Sequence, residues 1–293
     1  MNGSTSHNFL LIGLPSTGKT SFLAALWYAI QQTQSPTALV LKKLDGDCAY
    51  LNRIREAWLA LKSVGRNPTD SETFVSMWLR RRESDEEVHL TFPDVSGESF
   101  KQQWAMRQLT ATYDKCLQEA NGGILFIHPD SMKLPLRIQE VDDLAAMIDN
   151  GVAEEMTAPS PATPPSTPVP WDIEKAPAQV QLVELLQFMM RRPYFRPPFR
   201  LAITVSAWDL VTPSHINPED LVAQQLPLLK QFLSSHRKSF EVGFYGISAQ
   251  GGKYEGEDMT ALENKMPAQR IEIVGHGVQN NHDITEPILW LMQ

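Results

Sequence analysis

Between an apolar run at residues 8–12 and a helical run at residues 21–30 lies Gly13-Leu14-Pro15-Ser16-Thr17-Gly18-Lys19-Thr20. A strand, a glycine-bounded turn and a helix in that order gather backbone N–H groups and a helix N-terminus around one small volume, where a polyphosphate can sit. Gly13 and Gly18 let the backbone turn and approach the phosphates closely, Lys19 supplies a point charge, and Thr20 offers a hydroxyl to a magnesium ion. Gly13, Pro15, Ser16, Thr17, Gly18, Lys19, Thr20 and Ser21 form the candidate phosphate-contacting set. The pattern also occurs in plain glycine-rich turns, so its context decides. Phe22, Leu23, Leu26, Trp27 and Ile30 follow at helical spacing, which is the context a phosphate-binding loop requires. Pro15 has no N–H to donate and narrows the approach from its side.

Such a loop needs a sheet behind it, and 293 residues with 42% hydrophobic side chains are enough for one. The expectation is a single domain over residues 1–293, interrupted by a flexible or extended insert at residues 157–177, where Pro, Ser, Thr and Ala alternate and cannot build a core. A net charge of −8 argues against a surface that wraps nucleic acid or adheres to anionic lipid through bulk charge. The run Arg80-Arg81-Arg82 reads as a solvated strand end rather than a local basic site. Two cysteines, Cys48 and Cys116, give no disulfide framework. The polar residues 1–7 lack an apolar signal core, and no apolar run is long enough to cross a bilayer, so a cytoplasmic protein is expected.

Alternating β and α signals continue along the chain. Residues 39–44 read as an edge strand, 49–64 as a helix, and 73–81 with 87–93 as a hairpin. Asp94-Val95-Ser96-Gly97 follows that hairpin. An aspartate at the carboxyl end of a strand beside the loop strand reaches magnesium directly or through water, while Gly97 presents an N–H to a terminal phosphate. The alternative is a loop that caps the next helix through Ser96 or Ser99. Residues 101–119 have helical spacing, and 122–127 form a buried strand ending at His128-Pro129. His128 fits a loop-fixing role better than a catalytic one, because no neighbour in sequence orients its ring. Helices are expected at 137–150, 179–192 and 219–236, strands at 200–206, 240–247 and 270–274, and a last helix at 285–292.

The strand 200–206 ends in Ser206-Ala207-Trp208-Asp209. In a guanine site an aspartate here accepts hydrogen bonds from two donors on the base edge, a pairing adenine cannot reproduce. After the next helix and strand comes Ser248-Ala249-Gln250, where a backbone N–H can donate to the guanine carbonyl. Trp208 is either a stacking surface for the base or a core residue.

The series Gly13 to Thr20, Asp94 to Gly97, Asp209 and Ser248-Ala249 resembles the motifs of Ras-like GTPases of the translation-factor-related class. The wording Leu11-Ile12-Gly13, then Gly18-Lys19-Thr20-Ser21-Phe22-Leu23-Ala24-Ala25-Leu26-Trp27, Asp94-Val95-Ser96-Gly97-Glu98 with Trp104, and Phe126-Ile127-His128-Pro129 is similar to that of the bacterial double-GTPase family, which is linked to conflict and immunity gene clusters. The resemblance implies an α/β, Ras-like P-loop GTPase fold: a mostly parallel sheet with one antiparallel strand and helices on both faces. It further implies GTP or GDP with Mg²⁺ as ligands, Thr20, Asp94 and a switch residue Thr69 (or Thr73) at the metal, and a protein effector or activating partner. Lys19, Thr69, Gly97 and Glu98 are the candidate catalytic residues. Two departures stand out. Ala207 replaces the lysine whose stem covers the base in the family's motif, and Glu98 replaces a water-positioning glutamine, placing a negative charge near the terminal phosphate. The expected activity is a GTP-binding switch with slow magnesium-dependent hydrolysis. A catalytically silent nucleotide-binding module and a P-loop ATPase are the alternatives.

Overall fold

The computed structural model describes residues 7–32, 37–46, 48–63, 73–84, 86–94, 105–132, 176–190, 197–211 and 216–293. Nine strands form one sheet: β1 (His7–Gly13), β2 (Leu39–Gly46), β3 (Thr73–Arg81), β4 (Glu87–Asp94), β5 (Gly122–Ile127), β6 (Phe199–Ser206), β7 (Phe240–Ser248), β8 (Glu272–Gly275) and β9 (Val278–Asn281), in the order β2-β3-β4-β1-β5-β6-β7-β8-β9. Neighbours from β4 through β7 pair in parallel. The strand β1 sits between β4 and β5, so the chain order reverses beside it, at the position where open α/β sheets take ligands outside the carboxyl ends of their strands. The 13–20 loop leaves β1 at that end.

The antiparallel strand expected from the hairpin is β3, which pairs with both β2 and β4. A second, β8, runs antiparallel to β7 at the other side and turns into β9. Three consecutive residues, Gly275, His276 and Gly277, carry positive φ there. The hairpin signal is therefore in the sequence, although β9 was not among the expected strands.

Alternate residues of each strand feed two cores. Phe9, Leu11, Val75, Leu90, Ile124 and Ile247 face one side, and Leu10, Ile12, Leu125, Ile203 and Val205 the other. On the first side lies α1 (Lys19–Gln31), whose Phe22 meets Phe126 edge-on at 5.0 Å. It is buried almost all round, including Ala24, Ala25 and Ala29, because α2 (Cys48–Leu59) covers the side turned away from the sheet. The indole N–H of Trp27 donates to Asn52 Oδ1 at 3.1 Å across that contact.

On the opposite side lie α3 (Ala111–Glu119), α4 (Ala178–Met190), α5 (Pro218–Gln225) and α6 (Pro227–Ser235). The single helix expected at 219–236 is two, because Pro227 lacks an N–H and forces Leu226 out of helical geometry, at φ −130° and ψ 58°. In α4 the buried face runs through Leu182, Leu185, Leu186 and Met189, while Val180 is exposed. Near the end of the chain come α7 (Gly256–Glu263), α8 (Pro267–Arg270) and α9 (Glu286–Leu291). The insert at 157–177 and the helix expected at 137–150 lie outside the described residues, apart from Ala176 and Pro177. No described helix is long and apolar enough to cross a membrane.

Of the basic run, Arg82 is tied down: Nε donates to the Thr37 carbonyl at 2.6 Å and a terminal nitrogen to that of Gln32 at 3.2 Å, closing the α1–β2 connection. Arg81 pairs with Glu86 at 3.1 Å.

Candidate nucleotide site

The loop after β1 is built on backbone that favours glycine. Gly13 has φ +153° and Gly18 φ +81°, and a Cβ on Gly13 would lie 2.8 Å from the Phe126 carbonyl oxygen. Ser16, at the exposed crest, also has positive φ, 60°. Thr17 is buried, and its hydroxyl donates to the Leu14 carbonyl at 2.8 Å, closing the loop on itself. Lys19 lies across the loop, donating to the carbonyls of Gly13 at 2.9 Å and Leu14 at 2.8 Å. Pro15, Thr20 and Ser21 are half-buried, the last two in the first turn of α1.

Gly18 is the N-cap of α1 and carries no side-chain cap, and the first turn holds no acidic residue. The positive end of the helix therefore points into the loop with no acidic residue of its own first turn to neutralise it. This donor set fits a polyphosphate. A magnesium ion takes few protein ligands when phosphate oxygens supply the rest; by position, Thr20 stands at the helix start and Asp94 ends β4, the strand beside β1, at the same end of the sheet. The candidates Thr69, Gly97 and Glu98 lie outside the described residues. The alternative Thr73 is the first residue of β3, paired with Asp94.

The base-side motifs come together. Ser206, at the end of β6, packs against Gly18 and donates to the Ile127 carbonyl at 3.3 Å. Ala207 adopts left-handed geometry, φ 46° and ψ 47°, which swings Trp208 inward and Asp209 toward the next strand end. There the fully buried Ser248 donates its hydroxyl to Asp209 Oδ1 and accepts the N–H of Gly251 at 2.9 Å. A carboxylate offers about four acceptor positions, so Asp209 keeps capacity for two base donors.

Trp208 is not a stacking surface. It is 5% exposed and lies flat on β7, where a Cβ on Gly246 would fall 2.2 Å from its ring. His128 fixes its loop, as its sequence context indicated: its Nδ1 accepts the Asp130 N–H at 3.2 Å, and its carbonyl accepts the Ser131 hydroxyl at 2.7 Å.

Three residues of this region had no sequence signal. The Ala249 carbonyl accepts the Trp58 indole N–H at 2.8 Å. Arg270, buried, donates to the carbonyls of Leu262 at 3.1 Å and Leu59 at 3.3 Å. Tyr254 is half-buried near both Arg270 and Asp209. Burial pushes its phenol up to about 12, against the pull of the Arg270 cation and with the push of the Asp209 charge.

The sequence profile of the Double-GTPase 1 family matches residues 10–291. No curated protein gives a significant match. Among solved structures, a bacterial selenocysteine-specific elongation factor EF-Sec is 13% identical with a TM-score of 0.38, over 88% of this chain and 27% of that one. The Ski7 GTPase-like domain of S. cerevisiae, described as bound to GTP, is 12% identical with a TM-score of 0.42, over 86% of this chain and 45% of that one. Sup35 complexed with GDP is 13% identical with a TM-score of 0.34, over 86% and 39%. The chain thus spans less than half the length of each.

Proposed function

The chain belongs to the Double-GTPase 1 family, and from that premise we propose a GTP-binding switch with slow, magnesium-dependent hydrolysis that acts with a protein partner in a bacterial conflict or immunity system. The GTP-binding character follows from the family. The switch, the hydrolysis and the partner are our reading. The observation that carries it is the Ser206–Gly18 contact together with the Ser248–Asp209 hydrogen bond, which bring the 13–20 loop and Asp209, our candidate for the base, to the same end of the sheet.

In this reading Lys19 exchanges its two carbonyl acceptors for phosphate oxygens, and the first-turn amides of α1 hold the phosphate between them. Thr20 and Asp94 hold the metal, which when bound neutralises charge on the transferring phosphoryl group. Asp209 takes the two donors of the guanine edge, and the turn at 248–250 donates to the guanine carbonyl. Positioning and charge neutralisation supply the chemistry, so no covalent nucleophile is required. Glu98 motivates the slow rate, because a carboxylate near the terminal phosphate opposes charge build-up there. It equally motivates the second reading, a silent module that holds nucleotide without turning it over.

The test is the identity and phosphate state of nucleotide retained by the purified protein, read by ion exchange after denaturation and again after incubation with GTP and Mg²⁺. GDP, with added GTP converted over time, supports the switch. GTP that stays intact selects the silent module, and adenine nucleotide overturns the assignment of Asp209.

A further inference from the structure

We propose that α2 belongs to the base-reading site, with Trp58 as a positioning residue that aims the backbone N–H groups of the 248–250 turn. The inference rests on the base site proposed above. In the sequence Trp58 and Ala249 are 191 residues apart, and nothing in the motif series connects them. In the fold α2 lies outside α1, and its last turn reaches the loop after β7. Trp58 is 1% exposed, its ring against Tyr28 of α1 with centroids 5.3 Å apart, and its indole N–H donates to the Ala249 carbonyl.

A peptide unit is planar, so the Ala249 carbonyl and the Gln250 N–H point in opposite directions from one rigid group. Holding the carbonyl fixes the N–H. The preceding residue is held through the Ser248–Asp209 hydrogen bond, and the following one by close packing: a Cβ on Gly251 would fall 2.6 Å from the Arg270 carbonyl. Arg270 in turn donates to the Leu59 carbonyl, one residue after Trp58. The hold on the Ala249 carbonyl and, through Arg270, the hold on Gly251 thus run to the same end of α2. Donors preset in this way need no reordering when a base carbonyl arrives, which is how a rigid supporting shell converts into selectivity.

The test separates the two edges of the base. 6-Thio-GDP weakens the acceptor that the 248–250 turn would meet, and IDP lacks the 2-amino group that Asp209 would meet. In the wild type, GDP should bind more tightly than either. Trp58→Phe, which keeps an aromatic ring in the core, should lose about tenfold in GDP affinity and most of its preference for GDP over 6-thio-GDP, while the GDP-to-IDP ratio stays as in wild type. A merely destabilising substitution would weaken all three together and leave both ratios unchanged, and that result overturns the proposal. So does a wild type indifferent to the 6-thio change. Asp209→Asn, measured alongside with GDP and XDP, tests the underlying base site: if it does not move preference toward xanthine, the base-site reading fails first. If it does and Trp58→Phe keeps both ratios, only the present inference fails. Should Trp58→Phe not fold, hydrogen exchange on the wild type decides. GDP should protect residues 50–63 together with 247–253, and pyrophosphate, which fills the phosphate loop alone, should protect neither as a pair. Protection of 247–253 by GDP with no change in 50–63 overturns the link.

Discussion

Ser206 packs so closely on Gly18 that a methyl group on the glycine would lie 2.9 Å from the serine Cβ and 3.0 Å from its hydroxyl. The end of β6 and the start of α1 are thereby locked face to face, which sets the spacing between the 13–20 loop and the Ser206–Asp209 turn. Gly18→Ala should destabilise the protein by about 2–4 kcal/mol, from left-handed backbone strain and from the clash. Gly256→Ala is the control, since Gly256 has φ +60° with nothing within 4 Å of a Cβ. It should cost only the strain term, about 1–2 kcal/mol. Urea denaturation of both variants reads the difference, and equal losses would show that the Ser206 contact contributes nothing.

Lys19 is held by two backbone carbonyls of its own loop, Gly13 and Leu14. Removing it costs the fold little, on the scale of about 1 kcal/mol, because the lost bonds are only part-buried and the Leu14 carbonyl keeps the Thr17 hydroxyl as donor. Nucleotide binding loses its one loop cation. Lys19→Ala should therefore lower GDP affinity by roughly a hundredfold or more with the unfolding midpoint in nucleotide-free buffer nearly unchanged. Calorimetric titration checks it, and retained micromolar binding removes the loop from the account.

The strand–loop–helix at residues 7–31, the β3–β4 hairpin and the base-side strand ends were legible because each is local: a period of two, a period near 3.6, and turn residues between. The break at Pro227 was missed: the apolar spacing on either side outweighed a residue that removes a donor, and 219–236 read as one helix. The role of Trp208 was not legible either. Its partner, Gly246, lies on the neighbouring strand, and only the register Val205↔Gly246 brings the two together. The environment of α1 was only half read: the spacing of Phe22, Leu23, Leu26, Trp27 and Ile30 marks an amphipathic helix with one buried face, whereas Ala24, Ala25 and Ala29 are buried as well. What covers it, and what Trp58 touches beyond it, depend on long-range packing that no window of sequence contains.

Cys48 and Cys116 differ in environment. Cys48 is exposed, whereas Cys116, on α3, is buried in the core on that side of the sheet. Burial, aided by the Glu119 charge, pushes the Cys116 thiol up to about 11. Reactivity follows the thiolate and its access. At pH 8 a disulfide reagent such as Ellman's should titrate one thiol rapidly in the folded protein and two in denaturant. Rapid reaction of two thiols in the native state would contradict the packing of α3 on the sheet.

His89 makes the pH dependence of stability readable at one site. Its Nδ1 faces Asn8 Oδ1 at 3.0 Å, its Nε2 meets the Ser76 hydroxyl, and its ring stacks on Trp78 with centroids 4.4 Å apart. Both nitrogens are satisfied with the ring neutral: Nδ1–H donates to the amide oxygen, and Nε2 accepts from the serine. Burial holds its pKa below 6.5, and Lys43 adds to that, while Asp45 and Glu119 oppose it. The unfolded chain therefore binds the proton more readily than the folded one. The stabilising contribution is complete above pH 6.5 and is lost as pH falls from there through the lower folded-state value. His89→Gln keeps a donor and an acceptor but cannot titrate. The stability difference between wild type and His89→Gln, measured by denaturant unfolding between pH 7.5 and pH 5, should shift against the wild type as the solution is acidified. The imidazole resonance should titrate below 6.5. A difference independent of pH would mean that His89 carries no proton linkage, and a titration above 6.5 would mean that the acidic neighbours outweigh burial.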